Sequence, residues 1–197
     1  METKTSSNKP KVEDLRIMKR KDAKVLIEQD LELAIAVIDD RVLRLRRRNE
    51  LAVHAVVSYK AAATYVFDNK KLPSNTRISL LQTGAIFHKE LALRILTDPE
   101  TYRKKNALGW TLAGVAALQD IDAAIYASKH PEILELKDTD GRSVEDSIST
   151  ILIDSRPISF AANAEPSKIL ELRGLLRLDV RPRYVEQLLH KARIFTG

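Results

Sequence analysis

The chain has 197 residues, no cysteine and a formal net charge of +6. The missing cysteines exclude disulfides, thiolate metal sites and cysteine nucleophiles, and they fit a reducing compartment. Hydrophobic residues make up 44% of the chain, enough for a buried core, whereas its 6 glycines and 7 prolines are too few for a β-rich fold. No apolar run approaches the ~18 residues of a membrane span, and an N-terminal secretory signal is missing. Composition therefore predicts a soluble, cytoplasmic, basic, all-α protein with no membrane partner.

The spacing of apolar residues divides the chain into four regions. Residues 1–11 are polar and are predicted to form a flexible tail. Residues 12–49 form an N-terminal helical region, in which Asp22 or Asp30 starts a second helix. Helical repeats follow over 50–153, and C-terminal helices over 154–197. From residue 50 onward the pattern predicts helices at 50–69 (one or a pair), 76–87, 89–96, 111–118, 121–128, 143–152, 168–176 and 183–193.

One stretch of the chain returns after 32 residues. Asn-x-x-Gly-x-Thr at 106–111 recurs as Asp-x-x-Gly-x-Ser at 138–143, and a looser copy places 51–68 against 81–98. The glycine suits a turn with positive φ, and the following hydroxyl is placed to cap a helix N-terminus. Repeats of this length indicate stacked helical units, each of which buries its apolar face on the next.

The pattern resembles the ankyrin repeat, which reads Asp-x-x-Gly-x-Thr-Pro-Leu-His and continues with Ala-Ala. Gly109, Thr111, Ala116 and Ala117 match, whereas the proline of the motif is replaced by Leu112. The resemblance implies stacked helix pairs, with the terminal helices as caps and the turn tips facing a protein partner. A generic helical repeat and an ordinary α-helical bundle with similar turns are the alternatives.

The ankyrin-like register also implies where a partner binds. In that family the turn tips and the concave surface vary and contact the partner. Trp110, the only tryptophan, occupies the variable turn position, where it serves either as an interface anchor or as packing against the next repeat. The residues that the resemblance assigns to partner binding are Leu108, Trp110, Leu118, Gln119, Thr139, Asp140 and Arg142.

A second feature is a run of basic residues. Its arginines are Arg41, Arg44, Arg46, Arg47 and Arg48. On one continuous helix the first, second and last of these align, which would make a basic face for phosphates or an acidic protein. The alternative is a solvated helix face partly neutralised by nearby acids. No aromatic residue that could stack on nucleic-acid bases interrupts the run.

Motifs for catalysis or metal binding do not emerge from the sequence. The four histidines stand at unrelated spacings. Asp138-x-Asp140-Gly141 resembles the start of a calcium loop, but the twelfth position is Ser149 instead of glutamate. Gly-rich phosphate loops and nucleophile-elbow motifs are missing as well. We therefore expect no enzymatic activity, no metal and no cofactor.

Three functions remain for the chain. The first is a scaffold that binds a protein partner through its helical repeats. The second is a regulatory protein that binds nucleic acid through the basic face. The third is a structural subunit that self-assembles, since residues 130–165 hold 3 Lys/Arg against 8 Asp/Glu while both ends are basic.

Overall fold

In the computed structural model, residues 10–41, 43–153 and 164–178 are described. This part of the chain is mostly helical and contains no β-strand, which confirms the all-α prediction. Most of the tail predicted at 1–11 and the whole helix predicted at 183–193 lie outside the described residues. A 3-10 turn, Asp14–Arg16, precedes the helices. The α-helices are α1 Arg20–Gln29, α2 Leu31–Asp39, α3 Leu45–Ser58, α4 Lys60–Asp68, α5 Ser74–Phe87, α6 Lys89–Leu96, α7 Pro99–Tyr102, α8 Leu112–Ala117, α9 Ile121–Ser128, α10 Pro131–Leu134, α11 Val144–Ile153 and α12 Pro166–Leu175.

The first six helices form three pairs, each joined by a single residue in extended conformation. These corner residues are Asp30, Tyr59 and His88, with φ between −136° and −130°. Two of them reach back to the preceding pair. The Tyr59 hydroxyl donates to the Glu28 carbonyl at 2.6 Å, and His88 Nε2 lies 2.7 Å from the Val56 carbonyl. Each of these corners therefore also fixes one helix pair on the pair before it.

The helices contact one another in two rows. In the first row α1, α3, α5, α8 and α11 each pack on the next, and in the second row α2, α4, α6, α9 and α12 do the same. The N-terminal helices thus lie directly on the rest of the chain. Small residues allow the close approach. A Cβ added at Gly84 would lie 2.6 Å from Leu91 Cδ2 and 3.2 Å from Val56 Cγ1.

Two equivalent hairpin turns lead into α8 and α11. The first spans 104–112 and the second 136–144, and each is closed by one antiparallel bridge. Gly109 and Gly141 have φ of 81° and 80°, which confirms the predicted turn geometry. The predicted caps are also confirmed, because Thr111 Oγ1 accepts from the Gly114 N–H and Ser143 Oγ from the Asp146 N–H.

The two turns are joined directly. The Thr139 N–H donates to the Gly109 carbonyl at 3.0 Å, and the Thr139 hydroxyl donates to the same oxygen at 3.2 Å. A Cβ added at Gly109 would lie 2.0 Å from Thr139 Oγ1, whereas nothing lies within 4 Å of a Cβ at Gly141. Both glycines are therefore needed for their positive φ, but only Gly109 is also needed because a side chain at its position would clash with Thr139.

Asp122 in α9 links three helices of the second row. Its carboxylate accepts from Lys168 at 2.6 Å and from Lys89 at 2.5 Å. These hydrogen bonds, from Lys168 first and Lys89 second, lower the pKa of Asp122 below its ordinary value. The same contacts raise the pKa of both lysines. The carboxylate thus stays ionised and bridges α6 to α12.

The two turn glycines give a matched test of the fold. We expect Gly141→Ala to lower the free energy of unfolding by roughly 1–2 kcal/mol, the cost of a Cβ at positive φ. Gly109→Ala should cost clearly more, since its Cβ also displaces Thr139. Urea unfolding followed by circular dichroism measures both. Equal losses in the two variants would mean that the turns do not pack on each other.

A second test concerns the charge on Asp122. Its lowered pKa means that the ionised carboxylate stabilises the fold at neutral pH and that this contribution is lost as pH falls through and below about 4. Asp122→Asn should therefore cost about 1 kcal/mol or less at pH 7, because the pairs are partly screened by solvent, and the deficit should shrink in acid. Glu171→Gln, which removes the exposed pair with Lys129, is the control, with little effect at either pH. A deficit for Asp122→Asn that is the same at pH 7 and pH 3 would contradict the assignment.

Candidate protein-binding groove

A groove of about 510 Å³ runs along the first row, between α5, α8, α11 and the two hairpin turns. Its apolar wall comes from three successive helices and one turn. The apolar residues are Ile86, Trp110, Val115, Leu118, Val144 and Ile151. Polar residues, among them Gln82, Gln119 and Arg142, complete the lining. A mainly apolar concave surface with a few polar groups is the usual form of a binding site.

Five of the seven residues that the sequence assigns to partner binding line this groove. They are Trp110, Leu118, Gln119, Asp140 and Arg142. The other two lie elsewhere. Leu108 is 68% exposed at the tip of the first turn, outside the groove. Thr139 uses its hydroxyl and its N–H on the Gly109 carbonyl, so it holds the turns together.

Trp110 is held on a rigid backbone beside the groove. Asn106 Oδ1 accepts from the N–H groups of Leu108 and Trp110, and the Asn106 N–H donates to the Trp110 carbonyl. The tryptophan side chain is nevertheless 49% exposed. A large apolar side chain that is half exposed and locally fixed has the properties of an interface anchor, because little conformational entropy is lost when it is buried.

Two glutamines on the groove wall have unused hydrogen-bonding capacity. Gln82 Oε1 accepts from Asn106 Nδ2 at 3.0 Å, and Gln119 Nε2 donates to the Val115 carbonyl at 3.1 Å. Within the described residues neither amide makes another hydrogen bond. The remaining Gln82 amide hydrogens and the Gln119 carbonyl oxygen can therefore pair with the backbone of a bound segment.

The sequence-based site omitted the α5 and α11 walls, although a signal for the first was present. Ile86 stands 32 residues before Leu118, so the repeat register places both at equivalent positions. In the structure both line the groove, and Ile86 is half exposed. Counting 32 residues back from Leu118 therefore identifies Ile86 as a groove residue.

The rim near α11 carries acidic side chains. Asp138 Oδ1 accepts from the N–H groups of Asp140 and Arg142, which shapes the second turn. Hydrogen bonds from the Ser143 side chain and then from its backbone lower the pKa of Asp146. Asp140 and Asp146 are exposed, so the rim presents carboxylates next to the Arg142 guanidinium.

The basic run does not form the predicted helix face. Helix α3 begins at Leu45, so Arg41 and Arg44 precede it and cannot align with Arg48 on one helix. The reason is packing at the start of α3. Arg47 Nη2 donates to the Met18 carbonyl at 2.5 Å, and Arg48 Nη1 to the Asp40 carbonyl at 3.1 Å. Of the five arginines, Arg41, Arg44 and Arg46 remain exposed.

The second cavity, of about 990 Å³, lies where α2 and α4 end. Several of its polar groups already have hydrogen-bond or ion-pair partners. Tyr65 donates its hydroxyl to Asp39, and Asn69 Nδ2 donates to the same carboxylate at 3.0 Å. The hydrogen bond to Asp39 raises the pKa of Tyr65. Lys70 pairs with Glu100 at 2.8 Å. The groove between the hairpin turns is therefore the stronger candidate site.

The histidines are separate from one another. His54 pairs with Glu28 at 2.9 Å, His130 pairs with Glu132 at 3.2 Å, and His88 contacts a backbone carbonyl. His190 lies outside the described residues. Within the described part of the chain, no three side chains of the metal-binding types His, Cys, Asp and Glu come together. No helix in that part is long and apolar enough to cross a membrane.

No protein-family model, no curated protein and no solved structure matches this chain. The ankyrin-like resemblance therefore stays a prediction. The candidate site rests on its geometry alone.

Exposure of Trp110 predicts that the fold does not depend on its indole. We expect Trp110→Ala to change the free energy of unfolding by less than about 1 kcal/mol. The neighbouring Leu112 is fully buried, so Leu112→Ala should cost about 2–5 kcal/mol. Chemical denaturation compares the two, and acrylamide quenching of the wild-type fluorescence reports indole exposure directly. A protected indole together with a large loss in Trp110→Ala would place Trp110 in the core.

Proposed function

We propose that this chain is a non-enzymatic, cytoplasmic protein–protein interaction module built from stacked ankyrin-like helix pairs. The observation that carries the proposal is the groove itself. A half-exposed Trp110 and a half-exposed Ile86 face one concave surface, on backbone that local hydrogen bonds hold in place. Such anchors are the main source of affinity in protein interfaces.

Several features support the repeat part of the proposal. The helices pack in two parallel series, and single extended residues join the helices of three successive pairs. The two hairpin turns share one geometry and are bonded to each other at Gly109 and Thr139. In stacks of this kind binding residues on the concave surface vary without disturbing the core, which suits a scaffold.

The groups in the groove fit recognition better than catalysis. The hydroxyls of Thr111 and Ser143 cap helices, and the Asp138 carboxylate closes a turn. The two glutamines offer one donor and one acceptor, which matches the backbone of a bound peptide segment. We accordingly assign the groove no catalytic residue, metal or cofactor.

Nucleic-acid binding is the weaker alternative. Two of the five arginines, Arg47 and Arg48, already bind backbone carbonyls. Arg41, Arg44 and Arg46 are exposed and could contact phosphates, but the large apolar neighbour Leu45 is aliphatic and cannot stack on a base.

The test is a pull-down from native cell extract, with and without nuclease, using the tagged full chain and two variants. Trp110→Ala should reduce recovery of the specific partner about ten-fold or more, the usual cost of losing an interface anchor. Leu170→Ala removes an exposed apolar side chain of α12, outside the groove, and should leave recovery unchanged.

Two results would count against the proposal. Equal recovery of all proteins by Trp110→Ala and wild type would show that the groove is not the binding surface. Recovery that disappears on nuclease treatment would favour the nucleic-acid alternative.

A further inference from the structure

A second unusual surface lies at the N-terminal edge of the helix array. Ile17 is 90% exposed and Leu45 is 63% exposed, on the turn before α1 and on the first residue of α3. The Arg47–Met18 hydrogen bond joins these two segments. We call this surface the N-terminal edge and define it by Arg16, Ile17, Lys19, Arg44, Leu45 and Arg46.

The backbone that carries Ile17 is held firmly. Leu15, two residues earlier, is fully buried, and Asp14 Oδ2 accepts from the Lys11 N–H at 2.8 Å. Arg47 binds the carbonyl of the next residue, Met18. Ile17 is therefore an apolar side chain that the fold itself holds in solvent. Together with Leu45 it gives the edge two exposed apolar side chains.

The N-terminal edge also carries cations without acidic partners. Arg16, Lys19 and Arg44 make no ion pair among the described residues, and all three are exposed. Glu13 and Asp14 precede Arg16 on the same turn. Glu50 of α3 already binds Arg20 at 3.4 Å and Lys24 at 3.1 Å. The edge thus combines exposed apolar side chains with an excess of cations, which suits a partner that is apolar and acidic.

The groove has the complementary character. Its apolar wall includes the half-exposed Ile86 and Trp110. Around the second turn and the first turn of α11 the acids outnumber the bases Lys137 and Arg142. Asp138 and Asp140 line the groove, and Glu135, Glu145 and Asp146 lie near them in the chain. The N-terminal edge and the groove therefore match in polarity and in charge.

We propose that the groove is filled by the N-terminal edge of a second copy of this chain. Ile17 and Leu45 of one copy would pack on Trp110 and Ile86 of the other, with the edge cations facing Asp140 and the acids of α11. The proposal rests on the proposed function, in which the groove binds protein, and it names the partner. The edge of a chain does not fill the groove of the same chain, because no edge residue lines it.

The contact joins two different surfaces, so a pair held by one such contact keeps one free edge and one free groove and can add further copies unless a two-fold axis closes a dimer. Exposed ion pairs are individually weak and are screened by salt. The apolar anchors accordingly supply most of the affinity, whereas the charges set the orientation and the association rate.

The experiment compares two variants of the full chain, each with one surface removed. The edge variant is Ile17→Ser with Arg44→Glu, and the groove variant is Trp110→Ala with Asp140→Lys. All four positions are exposed, so both variants should fold, which circular dichroism checks. Sedimentation velocity over a range of protein concentrations gives the masses. Leu170→Ser is the control for a general loss of surface apolarity.

Wild type and control should self-associate, and more weakly as salt rises. Each variant alone should associate at least ten-fold more weakly, with a mass near the 22.2 kDa of one chain. An equimolar mixture of the two variants should form a complex of one copy of each, because the edge variant keeps its groove and the groove variant keeps its edge. Assembly should stop at this complex, because its remaining edge and its remaining groove are both the mutated ones.

A wild-type chain that stays monomeric at every concentration would overturn the proposal, and so would a mixture that forms no complex. These outcomes are distinct from failure of the proposed function. If the chain is monomeric but Trp110→Ala still loses its partner from extract, the groove binds another protein and only the second-copy assignment fails. If Trp110→Ala also loses nothing, both fail.

Discussion

The shape of the candidate site depends on one carbonyl oxygen. Gly109 can place its carbonyl against Thr139 because it has positive φ and no side chain, and Thr139 then donates two hydrogen bonds to it. This contact sets the distance between the two hairpin turns, and hence between α8 and α11, which follow them directly. The groove is the space left between those helices, α5 and the turns. A polar backbone contact thus determines the width of an apolar binding surface.

The sequence predicted those parts of the fold that interactions between residues close in the chain determine. The bounds of α6 and α9 follow from apolar spacing, and the turn glycines and hydroxyl caps follow from backbone chemistry. The start of α3 at Leu45 could not be predicted in this way. It depends on Arg47 and Arg48 reaching carbonyls of Met18 and Asp40, which lie in other segments. The corner at Tyr59 carries no helix-breaking residue, and its hydroxyl contact with Glu28 is equally non-local.

The candidate site was partly predictable for a related reason. A repeat register identifies equivalent positions, so it found Trp110, Leu118 and Arg142, which stand at matching places in the turns and helices. It does not tell which positions face outward and which join one repeat to the next. Thr139 occupies a turn tip by register, yet its side chain is used between the turns. Whether a turn residue faces outward or joins two repeats depends on how closely successive repeats pack. The sequence of one repeat does not give that distance.

Charge pairing along the helix array gives the N-terminal edge its significance. In the second row the cations of the described residues commonly meet an acid from the neighbouring pair, as Lys60 meets Glu90 and Arg94 meets Asp68. Arg16, Lys19 and Arg44 make no such pair among the described residues, and two of them adjoin the exposed Ile17 and Leu45 in the chain. Several acids of the chain lie around α11, at the other end of the first row of helices from the edge. The edge and the groove region thus carry opposite charges and exposed apolar residues at different places in one molecule. In the proposed contact between two molecules, the cations of the edge meet the acids and the apolar side chains of both surfaces are buried.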